Sequence, residues 1–202
     1  LGDVYKRQVH CIYPLNSQEI LVAIDTTVLI IDSDAATPTA VYEGPIIKLA
    51  ASPDGKFIAG FAADDVVYIW TSNLEETVVR VSIDDTAEDM ADALQIDKSA
   101  VPSGPPDNFI WCGSDGVLAC WNGTSGALLI DITGSYKWWD LSYSMNNVLI
   151  GEIDGARVLT SDRHVFIRRV PGALASVLEM GSTSPGALLY DARKLYDSRD
   201  AR

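Results

Sequence analysis

Few residues in this chain could carry chemistry, and their spacing keeps them apart. The two histidines, His10 and His164, stand 154 positions from each other (164 − 10). A zinc site needs about three or four N, S or O ligands, and no such cluster surrounds either one. A Ser-His-Asp arrangement assembles in space rather than along the chain, yet no G-x-S-x-G turn presents a nucleophile. His164 follows Ser161-Asp162-Arg163 and reads as a solvated loop residue. Asp32-Ser33-Asp34 and Asp64-Asp65 lack the Gly and distal Glu of a calcium loop and read as turn residues. Neither a G-x-G-x-x-G nor a P-loop pattern is present to cradle a phosphate. The sequence therefore predicts no catalytic residue, no cofactor and no metal.

Cysteine is sparse: Cys11, Cys112 and Cys120. An odd count without close pairing is not a disulfide framework. Cys112 and Cys120 flank one hairpin turn and read as buried thiols, which fits a cytosolic setting. The net charge of −13, with only 15 Lys and Arg among 202 residues, argues against nucleic acid and against direct adhesion to an anionic bilayer. No apolar run approaches the roughly 18 to 20 residues of a membrane span. Leu1 to Gln8 also lacks the apolar core of a signal peptide.

What the chain does contain is strand punctuation. Ile46 to Ile83 reads as one complete β-propeller blade. Ile46–Ala51 is a short apolar strand, and Ser52-Pro53-Asp54-Gly55 is a turn in which Pro presets φ and Gly tolerates its positive range. Lys56–Phe61, Val66–Trp70 and Thr77–Ile83 supply three more strands, rich in β-branched and aromatic residues. Four strands in about 40 residues is a blade period. The unit recurs. Taking Ile20, Phe57, Phe109 and Val148 as openings of the second strand in each unit gives spacings of 37 (57 − 20), 52 (109 − 57) and 39 (148 − 109).

The predicted fold class is all-β, a partial β-propeller of about four blades of four-stranded antiparallel sheet. An ordinary antiparallel meander is the competing reading. Residues 1–8 read as a cloning or sequencing scar. Residues 9–170 are the propeller, interrupted at 84–106 by an acidic insertion expected to loop into solvent, with a short helix ending near Leu94. Met90 and Leu94 share one face of that helix. An acidic loop of this kind also suits a basic partner. Trp138–Tyr143 is expected to open the last unit, so Trp139-Asp140 reads as a chance dipeptide. The sheet pattern then stops. Residues 171–202 read as a linker, with a short helix over Pro171–Met180, and a longer helix starting at Ser184-Pro185. That pair is an N-cap followed by Pro at the first helical position. Leu188, Ala192 and Leu195 lie on one face of the longer helix, with Leu189 and Tyr196 at its edge. The chain reads as a fragment cut at both ends. About four blades leave open edge strands, which predicts aggregation of the isolated piece.

Trp111-Cys112-Gly113-Ser114-Asp115, Arg157-Val158-Leu159-Thr160-Ser161, Arg169-Val170-Pro171 and above all Ser184-Pro185-Gly186-Ala187-Leu188-Leu189-Tyr190-Asp191-Ala192 resemble the vacuolar protein sorting-associated protein 16 family. The last motif lies where that family's N-terminal propeller passes into an α-helical solenoid. The match is good over 109–202 and weaker over 9–107. The resemblance implies a non-enzymatic scaffold shared by the HOPS and CORVET class C membrane-tethering complexes. These hold late endosomes, vacuoles or lysosomes near one another during vesicle fusion and protein transport. It implies other tethering-complex subunits as partners, among them a Sec1/Munc18-type subunit whose solenoid site is largely missing here, and SNAREs indirectly. Membrane association would then be peripheral and through the complex, with the protein cytoplasmic. A propeller adaptor outside membrane traffic and a propeller enzyme with a channel site are the other readings.

Overall fold

Val66 to Thr71 is rich in β-branched and aromatic side chains, and it folds as a strand buried along all but its last residue. The structure, a computed structural model, describes residues 8–41, 44–97, 101–122, 126–141, 148–160, 163–168, 177 and 183–200; the side chains of 37–41, 194 and 197–200 are not described. Two compact units divide the chain, Leu1–Arg168 and Arg169–Arg202.

The first unit is a row of antiparallel meanders. Blade 1 is β1 (Val9–Pro14), β2 (Ile20–Ile24), β3 (Thr27–Ile31) and β4 (Ala36–Val41). Blade 2 is β5 (Ile46–Ala51), β6 (Phe57–Ala62), β7 (Val66–Thr71) and β8 (Thr77–Ser82). Blade 3 is β9 (Asn108–Cys112), β10 (Gly116–Cys120), β11 (Gly126–Asp131) and β12 (Tyr136–Asp140). Blade 4 is β13 (Val148–Glu152), β14 (Gly155–Leu159) and β15 (His164–Arg168). Strands pair in sequence order within every sheet. The first strands β1, β5, β9 and β13 neighbour one another in that order, as the innermost strands of propeller blades do. The described residues form an incomplete propeller.

Each core lies between blades, because a sheet hides both faces only when a neighbour stacks on each. Leu21, Val28, Ile46, Ile58 and Trp70 fill the space between blades 1 and 2. Phe61, Ile69, Phe109, Trp121 and Trp138 fill the next. Cys112, Leu118, Leu149 and Val158 fill the third. The expected turn at Ser52–Gly55 forms with Gly55 at φ +70°. Its Ser52 hydroxyl donates to Asp54 Oδ1 (2.8 Å) and accepts from the Phe57 amide (2.9 Å).

Two boundaries differ from the sequence reading. Tyr136–Asp140 pairs with β11, Trp138 opposite Leu128, and so closes blade 3 rather than opening blade 4. The cause is a tight hairpin: Asp131 Oδ1 accepts from the amides of Thr133 (2.8 Å) and Ser135 (3.0 Å), and Gly134 sits at φ +85°. Trp139-Asp140 thus ends a strand. Phe109 and Val148, in turn, lie in the first strands of their blades. True second strands open at Ile20, Phe57, Gly116 and Gly155, spaced 37 (57 − 20), 59 (116 − 57) and 39 (155 − 116).

In the second unit, α2 (Pro185–Asp200) is a 16-residue helix. Ser184 caps it as expected, its hydroxyl accepting from the Ala187 amide at 3.3 Å. The short helix expected over Pro171–Met180 lies outside the described residues, Val177 excepted.

Candidate functional site

The acidic insertion is a two-sided element. A 3-10 turn (Asp84–Thr86) leads into α1 (Ala87–Leu94). Thr86, Ala87, Met90 and Leu94 are buried against the core between blades 2 and 3. The carboxylates of Asp84, Asp85, Glu88, Asp89, Asp92 and Asp97 all face solvent. The expectation of a solvent-borne loop is therefore corrected. The i, i+4 pair Met90 and Leu94 gives the helix an apolar face, and blade 3 covers it.

Aromatic polar tips from blade 3 fix the insertion in place. Trp138 Nε1 donates to Thr86 Oγ1 (3.0 Å), Trp121 Nε1 to the Gly104 carbonyl (2.9 Å) and the Tyr136 hydroxyl to Asp89 Oδ2 (2.7 Å). That last bond, with the nearby carboxylates of Asp89 and Asp85, raises the Tyr136 phenol above its ordinary value. From blade 2, Asp65 Oδ1 accepts from the Gly104 amide (2.9 Å). Burial raises the Asp65 carboxyl, and Asp84 and Asp64 add to the effect. Thr86 is the N-cap residue of α1, yet its hydroxyl donates to the Ile83 carbonyl (2.9 Å) and makes no cap bond. A buried indole N–H needs an acceptor; that rule marks Trp121 and Trp138 in the sequence, though not their partners.

The remaining chemistry-bearing residues are dispersed. Asp32 accepts from the amides of Asp34 and Ala35, both at 2.7 Å, which lowers its carboxyl as a turn residue's should be. His10 lies on β1. His164 opens β15 and is not a loop residue; its Nε2 is 3.1 Å from Arg157 Nη1. Arg157 pairs with Glu152, lowering that carboxyl, and lies 4.8 Å over the Phe166 ring. All three cysteines are free thiols. Burial pushes Cys112 up to about 11 and Cys120 to about 12. Among the described residues no three His, Cys, Asp or Glu side chains are grouped to hold a metal, and no helix is long and apolar enough to cross a membrane.

The surface is thus its display of charge and edges. Over residues 9–41 the net charge is −4, over 46–107 it is 4 − 12 = −8 and over 108–140 it is 1 − 3 = −2. Over 148–168 it is 3 − 3 = 0. On α2, Leu188, Leu189, Leu195 and Tyr196 are exposed while Ala187 is buried.

Comparison with known proteins gives this surface a context. The model of the family described as Vps16, N-terminal region, matches residues 4–202. The chain belongs to that family. Protein VACUOLELESS1 of Arabidopsis thaliana is 28% identical over 201 residues, covering 91% of this chain and 21% of the relative. The vacuolar protein sorting-associated protein 16 homolog of Dictyostelium discoideum is 28% identical over 183 residues, covering 91% and 20%. This Vps16 N-terminal chain therefore spans about a fifth of those relatives. Among solved structures, the C-terminal WD40 domain of Sif2 superposes with a TM-score of 0.53 at 12% identity, covering 82% of this chain and 45% of that one. That likeness carries the propeller fold alone.

Proposed function

We propose that this chain is part of a non-enzymatic scaffold in vacuolar protein sorting, a subunit of the HOPS and CORVET class C tethering complexes. The observation that carries the reading is the family match along residues 4–202, which runs through both the blades and α2. In this reading residues 9–170 are a propeller that displays rigid rims, and residues 171–202 begin an α-helical solenoid. The exposed Leu188, Leu189, Leu195 and Tyr196 then suit a helix whose next layer lies further along a helical array. The partners are other tethering-complex subunits, including a Sec1/Munc18-type subunit held by the solenoid, with SNAREs engaged indirectly. The protein is cytoplasmic and peripheral on late endosome, lysosome or vacuole membranes through the complex.

The test is affinity purification of the tagged full-length protein from its own cells, followed by mass spectrometry. Tethering-complex subunits, a Sec1/Munc18-type protein among them, are the expected co-purifying species. Recovery of the protein with none of them refutes the assignment.

A further inference from the structure

Blades 1 and 2 each return their chain twice at one rim. Antiparallel strands in sequence order put the β1–β2 and β3–β4 turns at the same end of blade 1, and the β5–β6 and β7–β8 turns at the same end of blade 2. Three cavities lie along these turns. One of about 750 Å³ is lined by Glu19, Ile20, Ile31, Asp32 and Asp34 of blade 1. One of about 480 Å³ lies between the blades, with Leu15, Glu19 and Ile30 on one side and Pro53, Ser72 and Asn73 on the other. One of about 390 Å³ continues over Lys56, Thr71, Glu75 and Glu76 of blade 2. Glu19 lines both the first and the second, and Gly55, Ser72 and Asn73 line both the second and the third. The three therefore form one trough across both blades.

The trough has an apolar floor and anionic walls. Leu15 and Ile30 pack against the core between blades 1 and 2, and Ile20 is 39% exposed. The four turns, 14–20, 31–36, 51–57 and 71–77, hold Glu19, Asp32, Asp34, Asp54, Glu75 and Glu76 against the single cation Lys56, a net of 1 − 6 = −5 in a chain of −13. Lys56 lies 3.3 Å from Asp54 and offsets that carboxylate, not the others. Neutral donors orient the walls without discharging them. Asn16 Nδ2 donates to Glu19 Oε2 (2.5 Å) and Asn73 Nδ2 to Glu75 Oε2 (2.6 Å).

We propose that this trough docks an extended, Lys- and Arg-rich segment of a partner protein. Such side chains suit both parts of it. Their aliphatic stems lie on Leu15, Ile20 and Ile30, and their charged heads reach Glu19, Asp34 and Glu76. An acidic segment meets the same walls as repulsion, so charge selects the occupant. Turns already held by their own hydrogen bonds leave little to order on binding. The proposal is independent of the sorting role, since it rests only on the trough and its charge.

The test uses the full chain and a labelled synthetic peptide, Lys-Leu-Arg-Lys-Leu-Arg-Lys, read by fluorescence anisotropy. Saturable one-to-one binding that weakens with added salt is expected. Two triple variants carry the same change in net charge. Glu19→Gln with Asp34→Asn and Glu76→Gln should weaken binding at least about fivefold. Asp85→Asn with Glu88→Gln and Asp92→Asn, on the insertion, should leave it within about twofold. Carbodiimide coupling of peptide lysines to the unaltered chain, mapped by mass spectrometry, locates the peptide without relying on any variant's fold. Amide cross-links are expected at Glu19, Asp34 and Glu76. Three results overturn the site: no saturable binding, equal weakening in both triple variants, or cross-links concentrated in residues 84–97.

Discussion

Trp138 and Thr86, 52 positions apart, are joined by a buried hydrogen bond from the indole Nε1 to the threonine Oγ1 at 3.0 Å. Both side chains are nearly inaccessible, at 4% and 0% exposure. The bond ties the outer strand of blade 3 to the start of the acidic insertion, and it spends the hydroxyl that would otherwise cap α1.

Thr86→Val keeps the shape and removes the acceptor. It leaves a buried indole N–H without its partner, which costs about 1–3 kcal/mol. Denaturant unfolding should show a lower midpoint with an unchanged slope. Adding Trp138→Phe should cost less in the Thr86→Val background than alone, since the orphaned donor is then gone. Equal costs in both backgrounds would show that the bond is not coupled to stability.

In blade 2 the fit is steric. A Cβ on Gly60 would lie 2.5 Å from the Trp70 ring, which is itself buried and stacked on Tyr68 at 5.6 Å. Overpacking of this kind costs about 1–3 kcal/mol. Gly60→Ala should therefore lower the melting temperature, and Trp70→Leu should recover part of the loss in the double variant. A wild-type melting temperature for Gly60→Ala would contradict the packing.

The thiols should react in an order set by burial. Cys11 is half-buried, while Cys112 and Cys120 are raised to about 11 and 12. Only the thiolate attacks. At pH 8, iodoacetamide should label Cys11 first by peptide mapping, with Cys112 and Cys120 protected until the protein unfolds. Early labelling of Cys120 would place it outside the core.

The same burial makes alkaline stability fall. Both thiols have folded values above the unfolded value of 9.0. Their contribution is fully present below pH 9.0 and is lost as pH rises toward 11 and 12. The Tyr136 phenol shifts in the same direction. Urea midpoints measured from pH 7 upward should decline beyond about pH 9. Cys112→Ala with Cys120→Ala should flatten that decline, whatever it does to stability at neutral pH. A midpoint that rises with alkalinity would reverse the sign.

Much of the propeller is legible in the chain because its turns are chemically explicit. Ser52-Pro53-Asp54-Gly55 can fold in few ways, and Val66–Thr71 suits only a sheet. The blade 3–4 boundary is obscured because its turn hangs on Asp131, whose side chain closes a loop that looks like ordinary strand sequence. Trp138 and Trp139 read equally well as inner or outer strand. The insertion misleads for a different reason. Its acids dominate the count, while four small or apolar residues on the other side of one short helix decide where it sits. The neutral charge of blade 4 emerges only once the blades are delimited.

Two glycines separate backbone from side-chain constraint. A Cβ on Gly151 would meet the Trp111 carbonyl oxygen at 2.7 Å, across the contact between blades 3 and 4. A Cβ on Gly126 would meet Leu94 Cδ1 at 2.8 Å and Met90 Cε at 3.0 Å, the far ends of flexible side chains on α1. Chain ends of that kind can rotate away, whereas a carbonyl in a paired strand moves only with its sheet. Gly151→Ala should therefore cost more than Gly126→Ala, although Gly151 is exposed and Gly126 buried. Gly126→Ala should instead loosen α1, seen as faster amide exchange in Ala87–Leu94 with the blades little changed. If Gly126→Ala proves the more damaging in thermal unfolding, α1 is held more rigidly than its side-chain contacts imply, and the insertion is a structural part of the blade 2–3 core rather than a cap laid over it.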